Sequence, residues 1–429
     1  MKQCNTHITF WGGVETIGGS IVSLQKENYR IITDFGAYVG ADVEALLDPS
    51  QTMTLLQQEQ LPNIPQFYEE NDIHTIVCLT HLHLDHLGSL NHLPSNVEVW
   101  LSEESYIFYK GLRDSEYLPD YYVTWRPVRW RDQVEFGPFT LQFHPSDHDT
   151  LGAAAIFIET DDLKVVQSGD FRLSGFHPDK VWRWAENARK FKPDLLLIEG
   201  TAFSFHSETE PTIEPIEQAI IQPHLKTEKA LLKEVRRLAQ EDKVLIYNGY
   251  PQNIERLIEL IHLMEIVNRQ VIVSPDMYNL LNQVAMSDLS IIPWSDDLLE
   301  TIRQVPEDYF VQIDSQDTWI FEVLPAGIYL HSNGMPLGNF MPGYIEFVTK
   351  VVHGGWQFIN LSVSGHAAKR DLLTISYLID AYITVGWHTF GAKDYQIALQ
   401  TLGLEARLPK VGQTYLLSEL NHLKINEEK

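Results

Sequence analysis

Cysteine is nearly absent: only Cys4 and Cys78 occur in 429 residues. They form no CxxC pair and no disulfide framework, and this usage fits a reducing cytoplasm, where we place the chain. Positive charge is also scarce. Lys and Arg number 32 against 58 Asp and Glu, a net charge of −26. Coating duplex nucleic acid needs Lys and Arg against the phosphates, so the balance argues against a general DNA-binding protein. It leaves room for an enzyme that holds a few phosphates around a metal ion, because the ion is then the largest local positive charge. No apolar run reaches the ~18–20 residues of a membrane span. The start, MKQCNTHITFWGG, has no apolar h-region and no small-residue cleavage site, so we expect neither a signal peptide nor a membrane partner. Repeats, low-complexity blocks and flexible Gly/Ser linkers are missing as well.

What is present is an ordinary globular composition, 44% apolar, in a chain long enough for two or three domains. Strand and helix patterns alternate, which predicts an α/β fold. Residues 1–200 read mostly as strands, among them RIITDFG, DIHTIVCLTH, VEVWLS, FTLQFHPSDH, AAAIFIET and KVVQSGD, with fewer helices. From about residue 210 the character changes. KTEKALLKEVRRLA places Leu231, Val235 and Leu238 on one helical face, and NIERLIELIHLMEI does the same with Leu257, Leu260, Ile261 and Met264. The strands KVLIYNGY and QVIVSP separate them. This predicts a second domain, inserted into the first, since WQFINLSVSGHA, AYITVGWHTFG and TYLL return to the earlier alternation.

Several apolar runs end on a residue able to do chemistry: Asp34, His81, Asp170, Glu199, His366 and His388. Sites in α/β sheets gather at the carboxyl ends of strands, so these endings suggest one convergent cluster.

The densest point is CLTHLHLDHLG, where three of the 17 histidines and a carboxylate crowd together as His81, His83, Asp85 and His86. If Thr80 to Leu84 is extended, His81 and His83 point the same way, and Asp85 and His86 begin a helix, DHLGSLNHL. One metal ion can take the first two histidines and a second Asp85 with His86. Imidazole and carboxylate suit Zn2+, with Mn2+ or Fe as alternatives. Two ions need further ligands and a bridging carboxylate, and Asp170 and His148 are available. His144 competes with His148, which we favour because it is flanked by D-H-D and followed by Gly152. His74 reads as a solvated loop residue and His92 as a helix-surface one.

HLHLDH resembles the signature of the metallo-β-lactamase fold. TDFG, SDHD, SGDFR, IEGT, VSGHA and GWHT follow in an order similar to the β-CASP branch, the nucleases related to ribonuclease J and the cleavage-and-polyadenylation endonuclease. GGVETIGGS resembles their glycine-rich opening, and HSNGMPLG their small-residue segment. The matches run from residue 12 to about 415. The resemblance implies an αββα metallo-β-lactamase sandwich in two parts, residues 1–207 and 351–429, with an α/β β-CASP domain inserted at 208–350. It implies that His81, His83 and His148 hold one divalent metal ion, that Asp85, His86 and His388 hold another, and that Asp170 bridges them. Asp34 would orient a ligand imidazole through its free N–H. Glu199 would be the acidic residue supporting the late histidine, and His366 the histidine that contacts the scissile phosphate, with Ser364 beside it. His388 at the last motif goes with RNA-type members, whereas DNA-specific relatives tend to carry valine there. The chain ends soon after Leu417, so we expect it to lack the extra C-terminal domain of ribonuclease J on which that enzyme's dimer or tetramer is built; a homodimer stays open.

The function expected is that of a metal-dependent ribonuclease, endonuclease or 5′-exonuclease, hydrolysing single-stranded RNA through a hydroxide bound between two ions, most often Zn2+, with Mn2+ as the alternative. Asp85, Asp170, His366 and Glu199 would carry the reaction. DYYVTWRPVRWR interleaves Tyr121, Tyr122, Trp125 and Trp130 with Arg126, Arg129 and Arg131, a mixture that suits single strands through stacking and phosphate contact. Trp125, Arg126 and Arg129 are therefore candidate substrate contacts; the competing reading is a strand whose aromatics pack on the core. A DNA nuclease or small-molecule metallohydrolase on the same scaffold is the alternative. A non-catalytic interaction protein is the third reading, and the presence of all seven candidate ligands argues against it.

Overall fold

The computed structural model describes residues 5–204, 215–285 and 288–423. Cys4 and the expected boundary at 207/208 lie outside the described residues, and Cys78 is buried and free. The first strands are β1 (His7–Phe10), β2 (Val22–Lys26), β3 (Tyr29–Thr33), β4 (His74–Cys78), β5 (Glu98–Ser102) and β6 (Thr124–Val128). A second set follows as β7 (Val134–Phe136), β8 (Phe139–Pro145), β9 (Ala154–Glu159), β10 (Lys164–Gln167) and β11 (Leu195–Glu199). The middle of the chain supplies β12 (Leu245–Gly249), β13 (Gln270–Val273), β14 (Ile291–Pro293), β15 (Tyr309–Gln312), β16 (Ile328–Ser332) and β17 (Gln357–Asn360). Last come β18 (Ile383–Trp387) and β19 (Thr414–Tyr415).

These strands form three sheets: β19-β1-β2-β3-β4-β5-β6, β18-β11-β10-β9-β8-β7, and β14-β13-β15-β12-β16-β17. The first two pack face to face through one core of alternating inward residues, including Ile8, Phe10, Val22, Leu24, Trp100, Phe143, Ile156, Leu197 and Trp387. Each such side chain taken fully out of water contributes roughly 1.5–3 kcal/mol, and the period-two alternation fixes which face it occupies. Helices cover the outer faces, giving the αββα metallo-β-lactamase sandwich.

The helix Pro178–Phe191 shows why. Val181, Trp184, Ala185 and Ala188 make a buried stripe, Pro178 sits in its first turn, and Lys192 closes it in a left-handed conformation at φ 55°. This helix and Glu103–Asp114 are the two long helices of a region that carries eleven strands among its described residues, as its mostly strand-like pattern predicts. The third sheet is parallel throughout, and helices pack on both of its faces, as parallel sheets require. Its last strand, β17, comes after residue 350, and the helix Tyr344–His353 runs through that position. We propose to end the inserted segment after Asn360 for this reason. Among the described residues, no helix is long and apolar enough to cross a membrane.

Candidate metal centre

The carboxyl ends of β4, β8, β10 and β18 open onto one cleft. His81 and His83 follow β4. The expected helix at DHLGSLNHL is shorter than its pattern: a single turn, Leu84–Leu87, carries Asp85 and His86, and a separate turn, Leu90–His92, follows Gly88. His148 follows β8, Asp170 follows β10 and His388 follows β18. Ligand atoms of His81, His83 and His148 lie within 4.8 Å of one another, as do those of Asp85, His86, Asp170 and His388. Asp170 sits between the two groups. Its Oδ2 is 3.8 Å from His81 Nε2, 3.3 Å from His86 Nε2 and 3.4 Å from His388 Nε2. His388 Nε2 is also 3.3 Å from Asp85 Oδ2.

Local structure presents these groups. His388 and Asp34 both hold left-handed backbone, at φ 55° and 59°, a conformation that a non-glycine residue keeps only where its surroundings enforce it. The glycine-rich opening is one enforcer. A side chain on Gly13, at φ 74°, would meet the Trp387 ring at 2.7 Å, so only glycine lets this loop reach the end of β18. The loop delivers Ser20, whose hydroxyl is 2.8 Å from His388 Nδ1. The far nitrogens of the other rings are held too. His86 Nδ1 lies 3.0 Å from Asp34 Oδ2, His81 Nδ1 3.0 Å from the Thr80 hydroxyl, and His148 Nδ1 2.6 Å from the Gly365 carbonyl. Asp34 in turn accepts from the Thr80 N–H at 2.7 Å.

The near atoms have no such partners. Nε2 of His81, His86 and His388 and both oxygens of Asp170 are buried without a hydrogen bond among the described residues. A buried unpaired polar group costs about 1–3 kcal/mol and is rare, so several facing one another fit a divalent cation. The charge state agrees. Burial pushes His81 well below its ordinary range and takes His148 down to about 3, leaving neutral imidazoles. Burial opposes the His86 imidazolium as well, but Asp170, Asp34 and Asp85 outweigh it and hold that group well above its ordinary value.

His366 reaches the cluster from the loop after β17. Its Nδ1 lies 3.5 Å from Glu199 Oε1 and 3.7 Å from Asp170 Oδ2, ion-pair contacts rather than hydrogen bonds. Burial works against its charge, but Glu199, Asp170 and Asp149 raise its pKa to about 10. Of the two late histidines, Glu199 faces the His366 ring. It reaches His388 only through Thr201, whose N–H it accepts at 3.0 Å and whose hydroxyl lies 3.4 Å from the His388 carbonyl. Ser364 bonds the His366 N–H at 3.1 Å and, with His366, lines a cleft of about 1180 Å³.

The other candidates lie elsewhere. Trp125 and Arg126 are on β6, the edge strand of the first sheet. Trp125 packs on Tyr109, Arg126 lies over the Trp100 ring, and Arg129, just beyond the strand, pairs with Glu103. Trp125 is only partly buried against the core, and Tyr122 of the same stretch is exposed. His144 stacks on Phe157 at 4.0 Å and takes no part in the cluster. His74 is exposed at the start of β4, but His92 is buried, with its Nδ1 2.9 Å from the Thr52 hydroxyl; the surface reading of His92 is corrected, because its turn packs against the helices Val43–Leu47 and Thr52–Gln57.

Sequence reasoning missed several groups. Tyr250 follows the end of β12, and its ring is 5.7 Å from that of His83; a strand-ending rule that admitted tyrosine would have found it. A buried ion network, Arg172–Glu228–Arg256, carried no sequence signal. Glu228 bonds Arg172 and Arg256 at 2.7 Å each, and Arg256 also donates to the Val363 carbonyl. It ties the inserted segment to the loops bearing Asp170 and His366.

Residues 44–246 match the family model described as "Beta-lactamase superfamily domain". Ribonuclease J of Helicobacter pylori strain ATCC 700392 / 26695 is 22% identical over 280 residues, covering 63% of this chain and 37% of that protein. The strain J99 protein is 22% identical over 219 residues, with 49% and 30% covered. The chain thus spans 30–37% of the length of these curated relatives. A crystal structure of a protein of unknown function from Enterococcus faecalis V583 superposes with a TM-score of 0.81 at 27% identity, covering 96% of this chain and 99% of that one. The chain has the metallo-β-lactamase fold with a His/Asp cluster able to hold divalent metal, and it resembles the ribonuclease J-like β-CASP branch of that fold.

Proposed function

We propose that this protein is a metal-dependent ribonuclease that hydrolyses phosphodiester bonds of single-stranded RNA. One observation carries the reading: seven His and Asp side chains meet in one cleft, most of them buried and turning unpartnered atoms on one another, with the His366–Glu199 pair against the shared carboxylate. His81, His83 and His148 would hold one ion, Asp85, His86 and His388 a second, and Asp170 both. Bound there, divalent ions such as Zn2+ or Mn2+ supply Lewis acidity and an activated water at neutral pH.

The chain's own residues supply the rest. Asp34 fixes the His86 ring through Nδ1, so that Nε2 faces the cleft. His366 keeps its proton at neutral pH, held by Glu199, and offers it to a non-bridging or leaving phosphoryl oxygen; a donor placed where charge develops is worth a few kcal/mol of barrier. Ser364 braces the backbone that carries His366. Support for RNA comes from the ribonuclease J relatives and from His388 at the last motif.

The test is an RNA and a DNA of the same sequence, each end-labelled, incubated with the protein and Zn2+ or Mn2+. RNA cleavage that stops on metal removal is expected, and the product ladder separates internal from terminal attack. Equal or faster DNA cleavage would transfer the reading to a DNA nuclease. Cleavage of neither, by protein loaded with metal, rejects the phosphodiesterase.

A further inference from the structure

Asp149 lies beside the histidine-rich group and has no part in the ligand set above. It is 8% exposed, and its Oδ1 is buried without a hydrogen-bond partner among the described residues. That oxygen is 3.3 Å from His148 Nε2 and 3.7 Å from His83 Nε2. The second distance is too long for a hydrogen bond, so bracing the His83 ring does not account for the carboxylate. The first distance has a different meaning. His148 Nδ1 is committed to the Gly365 carbonyl, which leaves Nε2 as the atom turned towards an ion. Two ligands bound ~2.0–2.1 Å from one ion stand roughly 2.9–3.4 Å apart at octahedral or tetrahedral angles. His148 Nε2 and His83 Nδ1 are 3.1 Å apart, and Asp149 Oδ1 keeps the same spacing from His148. The carboxylate is also held in place, because Gly365 packs so closely that a side chain there would press on both Asp149 oxygens.

We propose that Asp149 is a further ligand of the ion held by His81, His83 and His148, an inference that rests on reading the cluster as a metal centre. With Asp170 within reach of His81, that ion meets three imidazoles and two carboxylates. More than four ligands, with added oxygen, suit a six-coordinate ion such as Mn2+ better than tetrahedral Zn2+. Zn2+ still binds most N/O sites more tightly than Mn2+. Asp149 therefore narrows the gap between the two metals rather than reversing it.

The experiment counts metal and needs no substrate. Metal-stripped wild type, Asp149→Asn and Asp149→Ala are equilibrated in chelator-buffered mixtures of Mn2+ and Zn2+, and the bound ions are measured by elemental analysis. Thermal melts in chelator establish that the variants fold. The expected result is a fall of about tenfold or more in bound Mn2+ relative to Zn2+ in both variants, with the second ion retained. A Mn2+ to Zn2+ ratio within twofold of wild type in either folded variant overturns the proposal and leaves the metal centre standing. Wild type that binds neither ion overturns both.

Discussion

The two halves of the cluster use similar residues in opposite states of charge. His81 and His148 are neutral, because burial dominates and their far nitrogens meet only a hydroxyl and a carbonyl. His86 is held as an imidazolium between Asp34, Asp85 and Asp170. The ring is the same; the partner behind it differs. A half whose imidazoles are already neutral offers ready ligands, whereas a half with one trapped proton among its carboxylates attracts a cation and must surrender that proton to it. Histidine crowding in a sequence therefore does not specify one kind of metal site. The loops that back each ring decide.

The largest effect should come from the residue that joins the halves. Asp170→Asn removes the shared charge, and we expect both ions to bind more weakly and RNA cleavage to drop by about 10³-fold or more, several kcal/mol of barrier. Elemental analysis beside the cleavage assay checks this, and two ions retained with full activity would dissolve the idea of a shared carboxylate. Next are His148→Ala and His388→Ala, each expected to take bound metal from two ions to one. If either variant loses both ions, the halves are one cooperative unit and the comparison fails. Smaller again is Asp34→Asn. It contacts the His86 ring directly and reaches His81 only through the Thr80 hydroxyl, so the ion at His86 should weaken by about 10–100-fold and the other by less, as competition with a chromophoric chelator would show.

Much of this site is legible before any coordinates. His81, His83, Asp85 and His86 crowd one stretch, and Asp34, Asp170, Glu199 and His388 close or follow apolar runs, because a strand's end is a local property that hydrophobic patterning displays. Which ends meet is not local. His388 comes close to Asp170 because β18 adds beside β11, and β11 beside β10, pairings set by sheet order. Asp149 was in view within D-H-D, but only as a marker for His148; its worth depends on where one oxygen points. The Arg172–Glu228–Arg256 network was hidden for a further reason. Glu228 and Arg256 sit on helices, where such residues pattern as solvated faces, Arg172 sits in a loop, and only the docking of the inserted segment buries them together.

The finest distinction between the halves is protonic. Below its raised pKa, His86 carries a proton on Nε2 as well as the one on Nδ1 that Asp34 accepts. An ion arriving at Nε2 must displace the first. Binding there should release about one proton in the neutral range, so affinity rises roughly tenfold per pH unit. On the other side His148, with its pKa down at about 3, is already neutral between pH 5 and 8. Burial takes His81 well below its ordinary value in the same direction. Binding at that half should release no proton from either ring and stay flat over the same interval. Calorimetric titration of metal-stripped protein in buffers of different ionisation enthalpy, at pH 6.5 and 7.5, separates the two events by their proton counts. One pH-dependent and one pH-independent ion would sharpen the contrast between the halves, and equal proton release at both would erase it.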